Sequence, residues 1–349
     1  MKKIAIVTLS GDYNYGNRFQ NYAVQEIVKR KGFDVETVIN IDSVPERLIR
    51  FFYKYITAFF GDYESRRNTG MMRFTRKRIS HVNVLGRGIP ARLTKRYDYF
   101  VVGSDQVWNP KLKEFNYQRF FLRFCDKSKR VCMSPSIGLD SLPEKYIELF
   151  REGLSGFEHL SCREEKGSQL IRQLTGRECE TLIDPTLALT AEEWRKIEQE
   201  RQVPEKYILL FLLGEKSDVV KDILAKADSD CTVIDVGDKK SAYHAVTPEE
   251  LLYLIDHAKL VITDSFHLTA FSINFNVPFY VVDRFDSKNE TNNQMNSRII
   301  SLTGMCGLED RYITGLVDQI DFDCDFTSAN RELPEQRMKL EKYLEECLG

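Results

Sequence analysis

The sequence predicts an α/β protein of two halves, each a parallel sheet flanked by helices, followed by a C-terminal helix. Three observations predict it. Short apolar runs of strand length alternate with segments of helical periodicity along most of the chain. Polar turns follow those runs, as they do at the carboxyl ends of parallel strands. The alternation pauses near 186–203 and then starts again. A chain of 349 residues has the length for two ordinary domains.

In the first half, 3–9 reads as a buried strand and 11–16 as a polar, glycine-bounded turn. Residues 17–31 have helical periodicity, with Tyr22, Ala23, Ile27 and Val28 on one face, and Gly32 is a plausible C′ residue. The next strand is 35–39. The turn at 11–16 is no GxGxxG and carries no Walker lysine. The strand at 97–102 ends in Gly103-Ser104-Asp105-Gln106-Val107-Trp108-Asn109-Pro110, and a strand-like run at 130–137 ends at Gly138. A helix at 142–154 and short strands at 158–162 and 181–183 follow, with a helix between those strands that Gly176 caps.

The second half restarts with a strand at 207–213, a helix at 217–227 and a strand at 231–236. Thr247 is the N-cap of a helix with Pro248 at its first position. The run at 258–262 leads into Thr263-Asp264-Ser265-Phe266-His267, then into a helical pattern and a strand at 277–282. The expected division is 1–188, 189–330 and a terminal helix in 331–349, two Rossmann-like halves facing a cleft.

Composition narrows the function. With 42% hydrophobic and 29% charged residues, the chain is that of a soluble globular protein, and a net charge of −2 gives no global attraction to nucleic acid or membrane. The apolar run after Met1-Lys2-Lys3 is too short for a signal-peptide core, so a cytoplasmic location is expected. The eight cysteines are scattered, with no CxxC pair and no zinc spacing; reduced buried thiols and no metal site are expected. One segment departs from neutrality. Residues 45–97 hold 13 Lys/Arg against 3 Asp/Glu and many aromatics. They read as a basic helical insert, either a solvated face or a peripheral contact with anionic lipid head groups or the phosphates of a lipid-linked substrate.

The polar residues after the strands are the candidate ligands. Ser265 is a helix N-cap or a phosphate contact, and His267 stands out among only five histidines. Arg163 is either half of a surface ion pair with Glu164 or a bidentate grip on an oxyanion. Asp105 is a loop aspartate or a base, and Trp108 reads as core before it reads as a sugar platform.

Five segments occur in order: Gly16-Asn17-Arg18-Phe19-Gln20-Asn21-Tyr22-Ala23, Val102 to Asn109, Arg163-Glu164, Asp184-Pro185-Thr186-Leu187 and Thr263-Asp264-Ser265-Phe266-His267. Together they resemble the polysaccharide pyruvyl transferase family, over about residues 10–300. Leu268 stands where that family often has glycine. The resemblance implies a fold similar to the glycosyltransferase B architecture. It also implies transfer of a pyruvyl group from phosphoenolpyruvate to two sugar hydroxyls as a ketal, without a cofactor. The residues it implies for the donor are Arg163, His267 and Lys288, with Arg284 close by and Ser265 with the helix amides on phosphate. His267 is then general acid or phosphate ligand, since an imidazole titrates near neutrality. The acceptor side is expected from Asn14, Asn17, Arg18, Gln20 and Asn21 and from Ser104, Gln106 and Asn109, with Asp105 as the base for the incoming hydroxyl. Two other functions compete: a nucleotide-sugar glycosyltransferase of the same fold, and a non-catalytic carbohydrate-binding partner.

Overall fold

The computed structural model describes residues 1–10, 14–41, 56–57, 62–86, 88–227, 230–287 and 297–349. The chain divides into two compact units, the first 1–53, 72–188 and 335–349, the second 54–71 and 189–334.

The first unit is built on a five-stranded parallel sheet of order β3-β2-β1-β4-β5. Its strands are β1 (Lys3–Val7), β2 (Asp34–Ile41), β3 (His81–Leu85), β4 (Tyr99–Gly103) and β5 (Arg130–Met133). Central β1 and β4 carry near-continuous apolar runs because helices cover both faces of a parallel sheet. Helix α1 (Tyr15–Arg30) connects β1 to β2, α2 (Tyr63–Arg78) precedes β3, and α3 (Ala91–Thr94) and α4 (Tyr117–Phe120) flank β4. After β5 come α5 (Ile147–Leu154), β6 (Ser161–Cys162), α6 (Glu165–Thr175), β7 (Glu180–Thr181) and α7 (Pro185–Ala188). Among the described residues, strands β6 and β7 pair only with each other. Gly176 ends α6 in the left-handed conformation expected of it, at φ 66°. Trp108 belongs to the core: it is fully buried, stacks on Phe121 and donates from Nε1 to Phe120 O at 2.9 Å.

The second unit repeats the plan with the order β12-β11-β10-β8-β9. In chain order it holds α8 (Ala191–Arg195), β8 (Tyr207–Phe211), α9 (Asp218–Ala225), β9 (Thr232–Asp235) and α10 (Pro248–Asp256). Then follow β10 (Leu260–Thr263), α11 (Phe266–Phe275), β11 (Phe279–Val282), α12 (Ser297–Cys306) and β12 (Tyr312–Ile313). Ile208, Leu210, Leu260 and Ile262 lie at the centre of its core. Thr247 and Pro248 start α10 as expected, and Glu250 completes a capping box with Thr247.

Two boundaries differ from the sequence reading. The basic segment 45–97 is no single helical insert, and 45–55 and 58–61 of it lie outside the described residues. Its end supplies edge strand β3, in register from Thr37↔His81 to Ile41↔Leu85. The strand signal there is just Val82 and Val84 in alternation, hidden in a cationic context. Residues 54–71 group with the second unit. The last helix, α13 (Thr327–Leu348), contains Pro334, and from Glu335 onward it belongs with the first unit. Tyr343 Oη donates to Cys132 O at 2.9 Å there, and Lys31 pairs with Glu341 and Glu345 at 2.5 and 2.8 Å. All eight cysteines are free thiols.

Candidate active site

Each sheet has a topological switch point, where the chain turns from building one side to building the other; ligands bind outside the strand ends there. In the first unit that point lies between β1 and β4, in the second between β8 and β10.

At the first switch point Thr8 follows β1 and Ser104 follows β4, and the Thr8 hydroxyl donates to Ser104 O at 3.4 Å. The organising group is Asp184. Its Oδ2 accepts Ser104 Oγ at 3.0 Å and pairs with Arg163 Nη1 at 2.6 Å, while its Oδ1 accepts Thr186 N and Oγ1 at 2.9 and 2.8 Å. The Arg163 and Asp184 side chains are 2% and 0% exposed, which overturns a surface ion pair for Arg163. Burial alone pulls the Arg163 guanidinium down; the carboxylates of Asp184, Asp105 and Glu164 outweigh it and leave the pKa raised. Glu164 is buried as well. Its Oε1 accepts Ser136 Oγ, Ile137 N and Gly138 N at 3.1, 2.8 and 2.9 Å, which fixes the turn after β5. Gly138 has φ +63°, and a Cβ there would lie 2.8 Å from Gln106 Oε1, so the turn can press against the 104–109 loop.

The expected acceptor residues gather at this edge, and most have a structural task. Asn14 is the N-cap of α1 and accepts Asn17 N at 3.1 Å. Gln20 donates to Thr8 Oγ1 at 3.0 Å and to Asn17 O at 3.3 Å, and Asn21 Oδ1 accepts the Thr37 hydroxyl at 2.7 Å. Arg18 is buried in the same turn of α1. Asn109 Nδ2 donates to Gln106 Oε1 at 2.7 Å. Asp105 sits at φ 62°, a left-handed conformation that aspartate tolerates better than most residues. Its Oδ1 accepts Gln106 N at 2.8 Å and its main-chain oxygen accepts Ser136 N at 2.8 Å.

At the second switch point Asp264 does what Asp184 does in the first. Its Oδ1 accepts Leu213 N at 2.7 Å and its Oδ2 accepts Gly214 N at 2.8 Å, bridging the ends of β10 and β8. Arg284 Nε reaches the same Oδ2 at 3.4 Å, and Arg284 Nη2 reaches Asp264 O at 3.4 Å. The Asp264 carboxylate is thus spent on these loops. A Cβ at Gly214 would stand 2.5 Å from Phe285 O, and Glu215 N donates to that oxygen at 2.8 Å, which zips the two loops together. Ser265 holds the N-cap position of α11, yet its side chain makes no capping bond. Its amide is held by Thr263 Oγ1 at 3.0 Å, so the hydroxyl is not needed to start the helix. His267 is the second residue of α11, half-buried, with its ring edge-on to Phe266 at 5.5 Å.

Ser265, His267 and Arg284 therefore all belong to the second unit, Arg284 bonded to the Asp264 that precedes Ser265, while Arg163 belongs to the first. Lys288 lies outside the described residues. The residue types at both edges suit anions and hydroxyls. Among the described residues, the grouping able to take a metal ion is Glu198, Asp256 and His257, and Arg195 already chelates Asp256 with two bonds of 2.8 Å. Sequence reasoning assigned no role to Asp184 or Thr8. For Asp184 the signal was present, in the Asp184-Pro185-Thr186 segment.

Two parallel-sheet units with a site-forming turn at each switch point define a class, the α/β proteins of the glycosyltransferase B type. The solved UDP-N-acetylglucosamine 2-epimerase of Rickettsia bellii is similar over 100% of this chain and 96% of its own, with 8% identity and a TM-score of 0.50. The UDP-GlcNAc 2-epimerase of Methanocaldococcus jannaschii has 12% identity, a TM-score of 0.47, and covers 99% and 92%. At 8% identity the likeness to the Rickettsia structure concerns the fold alone. No curated protein matches the chain. The family model of polysaccharide pyruvyl transferases matches residues 14–287, and the chain belongs to that family.

Proposed function

We propose that the protein transfers the pyruvyl group of phosphoenolpyruvate to two hydroxyls of a sugar, as a ketal, during cell-surface polysaccharide assembly. The observation that carries the reading is the turn at the end of β10, where a Ser265 hydroxyl not spent on capping, His267 and Arg284 share one sheet edge. A helix start with a hydroxyl and a guanidinium is suited to a phosphate ester. Lys288 adds charge in this reading.

Protonation of the donor's methylene carbon creates a cationic centre at C2. A first hydroxyl adds there and gives up its proton, phosphate leaves with the electrons of its C–O bond, and a second hydroxyl closes the ketal and loses its proton. One proton is taken up at carbon and two are released, one of which the departing phosphate carries. His267 supplies the proton or neutralises the leaving phosphate, and Asp105 takes the proton of the first hydroxyl. The donor brings its own leaving group, so no cofactor enters. The acceptor is lipid-linked in this reading, and the exposed Arg66, Arg73, Arg76 and Lys77 of α2 meet anionic head groups at the inner face of the membrane. Among the described residues no helix is long and apolar enough to cross a membrane.

Calorimetry with phosphoenolpyruvate and with UDP tests the donor. The reading expects saturable binding of the first that His267→Ala weakens; binding of UDP alone would favour a nucleotide-sugar enzyme.

A further inference from the structure

A second cation stands at the edge of the first sheet. Arg119 lies on α4, whose N-cap Asn116 accepts Arg119 N at 3.0 Å. Its guanidinium reaches the place where β1 has ended and β2 continues. There Nη2 donates to Thr8 O at 3.4 Å and to Val38 O at 3.0 Å. The Phe120 ring lies 5.5 Å from it. Among the described residues no carboxylate pairs with it. Two other enclosed guanidiniums do have carboxylates: Arg163 has Asp184 at 2.6 Å, and Arg311 has Asp321 at 2.9 Å and Asp310 at 3.1 Å. Burial draws the Arg119 pKa down to about 10. A desolvated charge facing only carbonyl dipoles is a costly arrangement, and one that an anion relieves.

A second unmet group lies beside it. Gln20 is fully buried, its Nε2 donates to Thr8 Oγ1 at 3.0 Å, and its Oε1 has no partner. Turning the amide over leaves the same position unmet, with a donor in place of an acceptor. Thr8 thus joins, on its carbonyl, a guanidinium with no carboxylate among the described residues to, on its hydroxyl, an amide whose oxygen has no partner. Both stand beside the β1–β4 switch point, where a parallel sheet takes its ligands.

We propose that Arg119 is an oxyanion-binding residue of the first unit, and that its ligand is an anionic sugar whose phosphate or carboxylate it takes while the Gln20 amide receives a hydroxyl or a bridging water. Naming that ligand as the acceptor rests on the proposed pyruvyl transfer; the oxyanion site does not. A glycosyl phosphate supplies both groups from one small molecule.

The test uses the full-length protein. Phenylglyoxal modification of the peptide carrying Arg119 is followed by mass spectrometry with glucose 1-phosphate, with glucuronate, with glucose and with no addition. Protection by glucose 1-phosphate or by glucuronate, and not by glucose, is expected, and the comparison says whether phosphate or carboxylate is preferred. Calorimetry with the protecting sugar follows on Arg119→Gln, which keeps N–H donors for the Thr8 and Val38 carbonyls and removes the charge. Its affinity is expected to fall about tenfold or more, with phosphoenolpyruvate affinity unchanged. Equal labelling of Arg119 under all conditions, or unchanged affinity in a folded Arg119→Gln protein, would overturn the proposal. If the variant does not fold, labelling of the wild type decides. Protection of Arg119 in a protein that binds no phosphoenolpyruvate would sink the pyruvyl reading and leave the oxyanion site standing.

Discussion

His267 and Asp184 mark two kinds of residue that one polar motif list cannot separate. His267 is half-buried at a helix start, so its loss should touch chemistry before stability. His267→Ala is expected to lower kcat by about 100- to 10,000-fold, measured as phosphate release, with an unchanged melting temperature. The Asp184 carboxylate binds four polar atoms, holding Arg163, Ser104 and Thr186 in a buried cluster with the side chain 0% exposed. Asp184→Ala leaves the Arg163 charge stranded and should cost about 3–5 kcal/mol in denaturant unfolding. Sequence alone could not rank these two. His267 stood out by rarity, whereas the partner of Arg163 lies 21 residues downstream and meets it only through the fold of β6, α6 and β7.

Helix starts show how local chemistry was legible and where it stopped. Thr247 and Ser265 look alike in the sequence, each a small hydroxyl residue before a helix. The first closes a capping box with Glu250; the second makes no side-chain capping bond. Thr247→Ala should therefore lose about 1 kcal/mol of stability. Ser265→Ala should stay within about 0.5 kcal/mol of wild type while phosphoenolpyruvate affinity falls about tenfold; unfolding curves and calorimetry on both variants check the contrast. The caps at Gly176, Thr247 and Pro248 were readable because each depends on a few neighbouring residues. Strand β3 was not, because two valines in a cationic stretch give too weak an alternation. Nor was the task of Asp264 readable from its own segment. Its real partners, Leu213 N and Gly214 N, sit some fifty residues earlier and arrive only when β8 and β10 pair.

For the molecule as a whole, the two-halved α/β plan was legible because both parallel sheets bury their central strands on two faces and so write long apolar runs into the chain. The grouping of 335–349 with the first unit was not, since it depends on which surface the end of α13 meets. The interior makes its own prediction about pH. Burial raises the thiols of Cys125 and Cys324 to about 11 and those of Cys179, Cys306 and Cys347 to about 12, against an ordinary 9.0. The unfolded chain gives up these protons first. Stability should be fully present below about pH 9 and fall as pH rises from there toward 11 and 12, seen as a declining urea midpoint between pH 8 and pH 10. A midpoint that rises over that range would mean the thiols are not buried as described. The central claim concerns what leaves and what is gained in one reaction. Incubation with phosphoenolpyruvate and a panel of lipid-linked saccharides, followed by mass spectrometry, should show one ketal-linked pyruvyl group on an acceptor for each phosphate released. No mass gain on any acceptor, with no phosphoenolpyruvate binding by calorimetry, would contradict it.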